Sequence, residues 1–416
     1  MPEQKLNILI VSQYFWPENM RINDLAEGLV QRGHSVTVLT GRPNYPEGHI
    51  FDDFRQSPND YVEYRGAKIV RVPIVPRGKR SITLFLNYVS FFLSGAVLGG
   101  WKLRGNKFDV IFVYAVSPIM SAIPALVIGK LKKVPVFIWV LDLWPETLKA
   151  VGVLSNERLL SAVGKVVSWI YNKADYLLLQ SKAFSTSVQQ YCTRMMPPNR
   201  LVYFPSWAED GFSSVPEEKS LLIEHAPCSF TILFAGNLGE AQDFPAILDV
   251  AEGLRSQLDI RWVIVGDGRM SRWLEEQVNE RDLDNVYLLG RHPLEAMPPL
   301  FAIADALLVS LKTNEVFEKT IPGKVQAYLA SGKPILGMID GEAGRIIEEA
   351  NAGLVCNSGD RRGLTAVVSQ MAQMSASQRE DMGDAAKRYY QDNFSKEKLF
   401  SRLESLFHQA TLRQKN

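Results

Sequence analysis

Short runs of consecutive apolar residues, separated by segments with helical periodicity, constrain the fold of this 416-residue chain more than any other feature. In the first half the runs read LNILIVS, SVTVLT, KIVRVPI, DVIFVYA, VPVFIWV, ADYLLLQ and RLVYFP, and in the second half FTILFAG, IRWVIVG, NVYLLG, ADALLVS, KPILGM and AGLVCN. An apolar run without alternation predicts a strand buried on both faces, and such strands form parallel sheets covered by helices. The sequence therefore predicts an α/β protein with two successive, doubly wound parallel sheets.

Composition and periodicity set the expected domain boundaries. Residues 206–229 are rich in Glu, Ser and Pro and lack periodicity, which predicts a linker. We expect a Rossmann-like domain at 1–205, a second at 206–390, and a C-terminal helix at 391–416 that packs back on the first domain. Open sheets of this type bind ligands outside the carboxyl ends of their strands, so a cleft between the two sheets is the expected ligand site.

Charge and cysteine content exclude several classes of function. The chain has 46 Lys and Arg against 45 Asp and Glu, so no overall field favours nucleic acid. Three cysteines, Cys192, Cys228 and Cys356, lie far apart without CxxC spacing, which indicates a reducing compartment and no structural zinc site. The first residues, MPEQKLNILIVSQ, lack the apolar core of a signal peptide, so we expect a cytoplasmic protein.

One segment indicates contact with a membrane. Residues 82–101, ITLFLNYVSFFLSGAVLGGW, reach the length of a membrane span but contain Asn, Ser and Gly. Basic residues flank the segment: Arg77, Lys79 and Arg80 before it, Lys102 and Arg104 after it. The interpretations are a buried or membrane-docking helix and, as an alternative, a true span. We favour a helix that docks on the inner face of the cytoplasmic membrane.

The segment EKTIPGKVQAYLASGKP, which begins at Glu318, is the strongest candidate for a ligand site. Apolar spacing predicts a helix that starts near Gly323 and ends at Gly332. Its first amides and the helix dipole can bind a diphosphate next to Gly323 and Lys324, while the Glu318 carboxylate in the preceding loop can accept hydrogen bonds from sugar hydroxyls. Gln326, in the first turn, can reach a ribose. The alternative is an ordinary strand, loop and helix with a solvated Glu and Lys.

Glycines follow three other strands of the second half. These loops begin at Gly236, Gly266 and Gly290, and we expect backbone to approach a ligand there. Neither half begins with GxGxxG, and Ser271 stands where that fingerprint requires its last glycine. This counts against a dinucleotide-binding protein.

Taken together, these motifs resemble those of retaining glycosyltransferases of the GT-B fold, family 4, over nearly the full length of the chain. The features that carry the resemblance are RGHSVTVLT, FAGNLGEAQ, VIVGDG, LGRHPLEAMP and the family's E-x7-E pattern, written here Glu318-x7-Gln326. Within that family, QYFWPE, DLWPET and IPGKVQAYLASGKP look most like bacterial N-acetyl-L-fucosamine transferases of O-antigen and capsule biosynthesis.

The resemblance implies roles for individual residues. Glu318 would contact the donor sugar as a catalytic residue, and Asp142 would orient the acceptor hydroxyl. The other expected donor-binding residues are Gly236, Asn237, Gly239, Gln242, Gly266, Gly268, Arg291, Ile321, Pro322, Gly323, Lys324 and Gln326. The expected acceptor-binding residues are Trp16, Arg21, Asn23 and Trp144, with the tryptophans stacking on sugars and Arg21 meeting a lipid pyrophosphate.

The sequence departs from the family pattern at two points. Gln326 stands in place of the second glutamate, and the residues that follow the GNLG loop, Glu240, Gln242 and Asp243, replace the usual Arg and Lys clamp on the diphosphate. The family resemblance implies no metal and no cofactor, with the UDP-sugar as donor substrate. Asp282 and Asp284 have DxD spacing, but they precede a strand, where Asp is a common turn residue.

These observations predict a metal-independent, retaining enzyme that transfers N-acetyl-L-fucosamine or a related hexosamine from a UDP-sugar to an undecaprenyl-diphosphate-linked saccharide. Its expected partners are the donor, the lipid-linked acceptor and the inner leaflet, with no nucleic acid. Alternatives are a family 4 transferase with another donor and a soluble acceptor, a non-catalytic sugar-nucleotide-binding subunit, or a nucleotide-sugar epimerase. Donor sugar, base, linkage and oligomeric state are not encoded in these motifs.

Overall fold

The computed structural model describes residues 5–78, 81–150, 152–212, 230–256 and 259–415. The chain divides into two compact units, Met1–Phe204 with Leu399–Asn416, and Pro205–Lys398. Most of the predicted linker, residues 213–229, lies outside the described residues, as do Lys79, Arg80 and Cys228. The C-terminal helix, Lys396–Lys415, belongs to the first unit from Leu399 onward.

The first unit is built on one sheet whose strands carry the apolar runs of the first half. Within the described residues the strands are β1 (Asn7–Val11), β2 (Ser35–Gly41), β3 (Glu63–Tyr64), β4 (Ala67–Val72), β5 (Val110–Ala115), β6 (Val136–Val140), β7 (Tyr176–Leu179) and β8 (Leu201–Tyr203). Their order is β3-β4-β2-β1-β5-β6-β7-β8. All neighbours are parallel except β3, which pairs antiparallel with β4.

Helices cover both faces of this sheet. The described helices are α1 (Arg21–Gln31), α2 (Asp52–Gln56), α3 (Ser81–Ser94), α4 (Gly100–Lys102), α5 (Ile123–Lys132), α6 (Glu146–Ala150), α7 (Glu157–Lys173) and α8 (Phe184–Gln190), with 3₁₀ turns at Pro58–Tyr61 and Ile119–Ala122 and a π-helical turn at Gly95–Gly99. Ile111 and Val113 pack in one core with residues of α3, α5 and α7. Phe112, between them, contacts Phe407 of the C-terminal helix on the opposite face.

The second unit contains the other predicted sheet. Its described strands are β9 (Phe230–Ala235), β10 (Ile260–Val265), β11 (Val286–Gly290), β12 (Ala306–Ser310), β13 (Ile335–Met338) and β14 (Gly353–Cys356), in the order β11-β10-β9-β12-β13-β14 and all parallel. Its described helices are α9 (Phe244–Leu254), α10 (Ser271–Glu280), α11 (Met297–Ile303), α12 (Gly323–Ser331), α13 (Gly341–Glu349), α14 (Arg361–Gln373) and α15 (Ala376–Asn393), with 3₁₀ turns at Glu240–Gln242 and Leu294–Ala296.

Both sheets reverse their strand order once, which confirms two doubly wound, Rossmann-like domains. In the first sheet the chain proceeds from β1 through β2 to β4 and then continues at β5, on the other side of β1. In the second, it proceeds from β9 to β11 and continues at β12, on the other side of β9. Ligands bind at such switch points. The loops after β9 and β12, and those after β1 and β5, are therefore the places where each unit can hold a ligand.

Candidate active site

The loop after β12 and helix α12 form the centre of the candidate site in the second unit. The helix begins at Gly323 after Pro322 and ends at Gly332 in the left-handed conformation, as predicted. No side chain caps its first turn, so the amino end is available for an anion. Ile321 is 3% exposed, so its side chain anchors the loop in the core, and a contact of this residue with the donor, through its backbone, stays a prediction.

Glu318 has a fixed backbone and an unpaired side chain. Its amide donates to the Asn314 carbonyl (2.9 Å), and its carbonyl accepts from the Glu342 amide (2.7 Å). Gly341 must be glycine, because a Cβ there would lie 2.1 Å from the Glu318 carbonyl oxygen. Among the described residues the Glu318 carboxylate has no hydrogen bond or ion pair, although it is half-buried. It is therefore free to accept hydrogen bonds from a ligand.

Lys324 places its amine against an aromatic ring. The amine lies 3.5 Å from the centroid of the Phe234 ring, on neighbouring strand β9. Burial lowers the pKa of this lysine to about 7, and in the described part of the chain it has no carboxylate partner. Gly236 leaves room for the side chain, since a Cβ at that position would lie 2.6 Å from Lys324 Cε. A partly desolvated cation without a counterion can bind a diphosphate strongly.

The glycines of the strand-end loops are required mainly by contacts between the loops. A Cβ at Gly266, whose φ is +144°, would lie 1.8 Å from the Gly236 carbonyl oxygen, and one at Gly268 would lie 2.3 Å from the Leu238 carbonyl oxygen. The Gly266 amide also donates to the Gly290 carbonyl (2.8 Å). These two glycines are therefore required by neighbouring backbone, and the approach of a ligand to them stays a prediction.

The remaining polar residues of these loops have local partners or are exposed. Gln242 accepts a hydrogen bond from the Gly239 amide (3.1 Å), so its side-chain oxygen holds the loop. Asn237 is exposed. Asp267 accepts from the Ser271 hydroxyl (2.9 Å) and the Gly268 amide (2.7 Å), and these two hydrogen bonds, with the charge of nearby Arg291, lower its pKa.

Gln326 is fully buried and lacks partners. It is 0% exposed, and neither its amide oxygen nor its amide nitrogen has a hydrogen bond among the described residues. A buried amide without partners is costly, which marks a place where a ligand or water would be bound. The ribose contact predicted for Gln326 remains a prediction.

In the first unit, the loops after β5 and β6 are joined by Asp142. Its carboxylate accepts hydrogen bonds from the Ser117 amide (3.0 Å) and the Ser117 hydroxyl (2.7 Å). The Trp144 indole N–H donates to the same hydroxyl (2.9 Å), and its ring is only 4% exposed. This corrects the expectation that Trp144 stacks on a sugar, because the ring packs in the core. Asp142 itself stays a candidate for orienting the acceptor.

The loop after β1 holds the other predicted acceptor residues. Trp16 is half-buried between Tyr61 (4.9 Å between ring centroids) and Tyr64 (5.4 Å). Arg21 pairs with Asp24 at 3.1 Å. Asn23 is 6% exposed, accepts from the Trp16 amide (3.2 Å) and donates to the Glu18 carbonyl (2.8 Å). We therefore correct the role expected of Asn23: its amide shapes the loop instead of facing a ligand.

Sequence reasoning missed the buried carboxylate that organises these loops. Glu18, in the motif QYFWPE, accepts hydrogen bonds from the amides of Phe15 (3.0 Å), Asn44 (2.8 Å) and Tyr45 (2.8 Å). Burial raises its pKa to about 7, although these hydrogen bonds and the charge of Arg71 oppose the shift. The only signal in the sequence is a Glu that follows an aromatic run and Pro, which does not identify its partners.

The apolar segment forms one continuous helix through α3, the π-helical turn and α4, and we call residues 82–102 the apolar helix. It is long and apolar enough to cross a membrane by length and composition alone, and about 22% of its most apolar stretch is buried. Asn87 and Phe91 are fully buried against the sheet. The opposite side exposes large apolar side chains, 41–68% exposed: Ile82, Phe85, Leu86, Leu93, Val97, Leu98 and Trp101.

No group of three or more His, Cys, Asp or Glu that could hold a metal is found in the ranges that the structure describes. Asp282 and Asp284, the DxD pair, both face Arg255, with oxygen–nitrogen distances of 3.9 and 3.0 Å. Asp282 adopts a left-handed backbone conformation at the turn before β11. This pair therefore has a structural role.

Comparisons with known proteins assign both halves of the chain to glycosyltransferase families. Residues 19–207 match the family described as "Glycosyl transferase 4-like domain", and residues 229–374 match "Glycosyl transferases group 1". The chain is 22% identical to WcaI of Escherichia coli, named as a colanic acid biosynthesis glycosyl transferase, over 359 residues, or 79% of this chain and 82% of that protein.

Solved structures share the fold. HepE of Anabaena, in complex with UDP-glucose, superposes with a TM-score of 0.66 at 13% identity and covers 97% of this chain and 100% of its own. WaaG, a glycosyltransferase involved in lipopolysaccharide biosynthesis, has a TM-score of 0.66 at 14% identity and covers 97% of this chain and 99% of its own. These similarities show the GT-B fold.

Proposed function

We propose that this chain, whose two halves match the families "Glycosyl transferase 4-like domain" and "Glycosyl transferases group 1", is a glycosyltransferase of polysaccharide biosynthesis. It would transfer a sugar from a UDP-sugar to a lipid-diphosphate-linked saccharide with retention of configuration. The donor sugar we propose is N-acetyl-L-fucosamine or a related hexosamine, and the lipid is undecaprenyl diphosphate. The sugar and lipid assignments rest on the motifs QYFWPE, DLWPET and IPGKVQAYLASGKP.

One observation supports the proposal most: the Glu318 carboxylate, which has no partner among the described residues, and the uncapped start of α12 belong to the same loop-helix segment. The carboxylate can accept hydrogen bonds from two donor-sugar hydroxyls, while the first amides of α12 and the Lys324 amine can bind the diphosphate. Both features follow β12, at the switch point of the second sheet. UDP-glucose bound to HepE supports a nucleotide-sugar donor.

The chemistry requires stabilisation of a leaving group rather than a protein nucleophile. The bond between the anomeric carbon and the diphosphate oxygen breaks, and the acceptor oxygen bonds to the same carbon from the same face. The departing diphosphate oxygen accepts the acceptor hydroxyl's proton. Negative charge that develops on the diphosphate is stabilised by the amides of α12 and by Lys324. Glu318 orients the sugar, and no metal or cofactor is needed.

We propose that the apolar helix docks the enzyme on the inner surface of the cytoplasmic membrane. Its exposed side is apolar along its whole length, and exposed cations stand at its end and at the adjacent end of α5: Lys102, Arg104, Lys130 and Lys133. Cations beside an apolar helix face suit an anionic bilayer surface. Asn87 donates to the Val75 carbonyl (2.6 Å) and accepts from the Gln13 amide (2.7 Å), so the helix is attached to the sheet, which supports docking over spanning.

The central assignment is tested with Glu318→Gln, and Glu315→Gln is the matched control. Glu315 is exposed in the same loop, so both variants remove one charge from the same surface. With purified protein, a panel of UDP-sugars and a lipid-diphosphate-linked N-acetylhexosamine, we expect Glu318→Gln to lower kcat by roughly 100-fold or more. Glu315→Gln should be unchanged. Full activity in Glu318→Gln would contradict the assignment, and NMR of the product's anomeric proton tests retention.

A non-catalytic role is the second candidate, and Gln326 favours it. The family's second carboxylate is absent, and the amide that replaces it is buried without a partner. In that case the protein would bind UDP but release none from any donor of the panel. If instead the protein is a transferase with a soluble acceptor, it would be recovered without detergent in the soluble fraction and would glycosylate a lipid-free saccharide.

A further inference from the structure

Arg77 lies where the apolar helix meets the carboxyl edge of the first sheet. It follows β4 and precedes Ile82 by a few residues. Its guanidinium carbon lies 5.1 Å from the centroid of the Tyr45 ring, in the loop after β2, and its backbone amide donates to Asn44 (2.8 Å). The side chain is half-buried, and within the described ranges it forms no ion pair with a carboxylate. An arginine in this state is available to an anion.

Tyrosine side chains surround this guanidinium. Tyr14 and Tyr45 pack at 5.2 Å between ring centroids, and the charge of Arg77 acts on the hydroxyls of Tyr14 and Tyr88. Burial raises the pKa of both Tyr14 and Tyr88, so both hydroxyls stay protonated at neutral pH. The Tyr14 hydroxyl donates to Asn87 Oδ1 (3.1 Å), so the cluster offers the Arg77 cation and the hydroxyls of Tyr45 and Tyr88, groups that recognise phosphate oxygens.

The other candidate for a phosphate, Arg21, is less suited. It is paired with Asp24 at 3.1 Å, and its side chain is 17% exposed. Binding a phosphate there would require it to compete with an existing carboxylate. Ile82 and Phe85, which follow Arg77 in the chain, are the first exposed residues of the apolar helix, at 67% and 60% exposed. A lipid chain attached to a phosphate at Arg77 would begin at this apolar surface.

We propose that Arg77, with Tyr45 and Tyr88, binds the diphosphate of the lipid-linked acceptor and sets the point where the lipid passes to the membrane surface. This inference rests on the proposed function and names its acceptor subsite.

The test measures binding of farnesyl diphosphate, a water-soluble polyprenyl diphosphate, by calorimetry on the full-length protein. Saturating UDP is present so that the donor site is occupied. We expect saturable binding that Arg77→Gln weakens at least 10-fold and Arg77→Lys weakens less, because lysine keeps the charge but loses the planar fork. Arg42→Gln, an exposed arginine in the loop after β2, is the matched control and should bind as the wild type does.

Two further measurements distinguish diphosphate binding at Arg77 from binding to anionic lipid head groups and from the proposed transfer reaction. Vesicles of phosphatidylglycerol without any diphosphate should bind wild type and Arg77→Gln within about 3-fold of each other, since several cations share the surface contact. Equal farnesyl diphosphate affinity in wild type and Arg77→Gln, or a larger loss on vesicles than on farnesyl diphosphate, would overturn the proposal. Glu318→Gln should lower kcat for transfer by roughly 100-fold or more yet bind farnesyl diphosphate as the wild type does. The binding result therefore tests the Arg77 site even if the catalytic assignment of Glu318 fails.

Discussion

The exposed apolar side chains of the apolar helix predict how strongly the protein binds to a membrane, and the structure sets the size of the expected effect. Phe85 is 60% exposed and Leu93 is 53% exposed, so most of each side chain is available to a bilayer and little of it stabilises the fold. Full burial of such a side chain contributes about 1.5–3 kcal/mol, so truncation of each to Ala should remove about 1–2 kcal/mol of membrane affinity. The double variant Phe85→Ala/Leu93→Ala should then bind roughly 30- to 900-fold more weakly.

The assay is flotation with vesicles of phosphatidylglycerol and phosphatidylcholine at several lipid concentrations. Leu412→Ala is the matched control, because Leu412 is 62% exposed on the C-terminal helix, which packs on the other face of the same sheet. The double variant should keep the wild-type melting temperature within a few degrees, since its side chains are largely outside the core.

Measurements at several salt concentrations separate the apolar contribution to membrane affinity from the electrostatic contribution. Each basic residue near an anionic surface adds about 1 kcal/mol, and this part weakens with ionic strength, whereas the apolar part does not. Wild type should therefore retain part of its binding at high salt, and the double variant should lose nearly all of it. Equal binding of wild type and double variant, or equal loss in Leu412→Ala, would refute the reasoning.

Two further predictions concern the donor site. Because burial lowers the pKa of Lys324 to about 7 without ligand, its amine is mostly neutral at pH 8. If bound UDP keeps the amine protonated, binding should take up about 0.9 proton at pH 8 and about 0.1 proton at pH 6. Calorimetry in buffers of different ionisation enthalpy measures this proton uptake, and no uptake at pH 8 would contradict the prediction. Gly266→Ala should lower the free energy of unfolding of the second unit by about 3 kcal/mol or more, because the new Cβ would lie 1.8 Å from a carbonyl oxygen. Gly253→Ala, in open space on α9, should raise it by about 0.5–1 kcal/mol. Urea unfolding of both variants measures these changes, and similar changes in the two would contradict the packing argument.

Apolar runs predict strands from sequence, and every predicted strand is present; the central strands are buried on both faces, whereas β4, β11 and β14 are only partly buried. The strand β3 was not predicted, because Glu63–Tyr64 is two residues long and has no apolar pattern. Its pairing with β4 depends on the turn between them, where Arg65 and Gly66 both have positive φ. Short antiparallel additions of this kind are determined by local turn geometry rather than by periodicity.

The candidate site was predictable where it depends on local sequence and not where it depends on distant neighbours. The start of α12 at Gly323 follows from Pro, Gly and apolar spacing. The position of the Lys324 amine over Phe234 does not, because the two residues are brought together by the pairing of β12 with β9. For the same reason Trp144 could not be recognised as a core residue, since its partner Ser117 lies in the preceding strand's loop.

The positive charge near the loop after β9 also depends on residues that are distant in sequence. In sequence, the loop after β9 lacks the basic clamp of its family, since Glu240, Gln242 and Asp243 occupy those positions. In the structure, the Lys312 amide donates to the Ala241 carbonyl (2.7 Å), so an exposed lysine from the loop after β12 stands beside that same loop. A cation supplied from another strand end can screen a diphosphate as well as one supplied by the loop itself, because the Coulomb interaction depends on distance and not on chain position. In the proposed function, positive charge for the diphosphate would therefore come from Lys324 on α12 and from Lys312, whose backbone contacts the loop after β9, rather than from that loop itself.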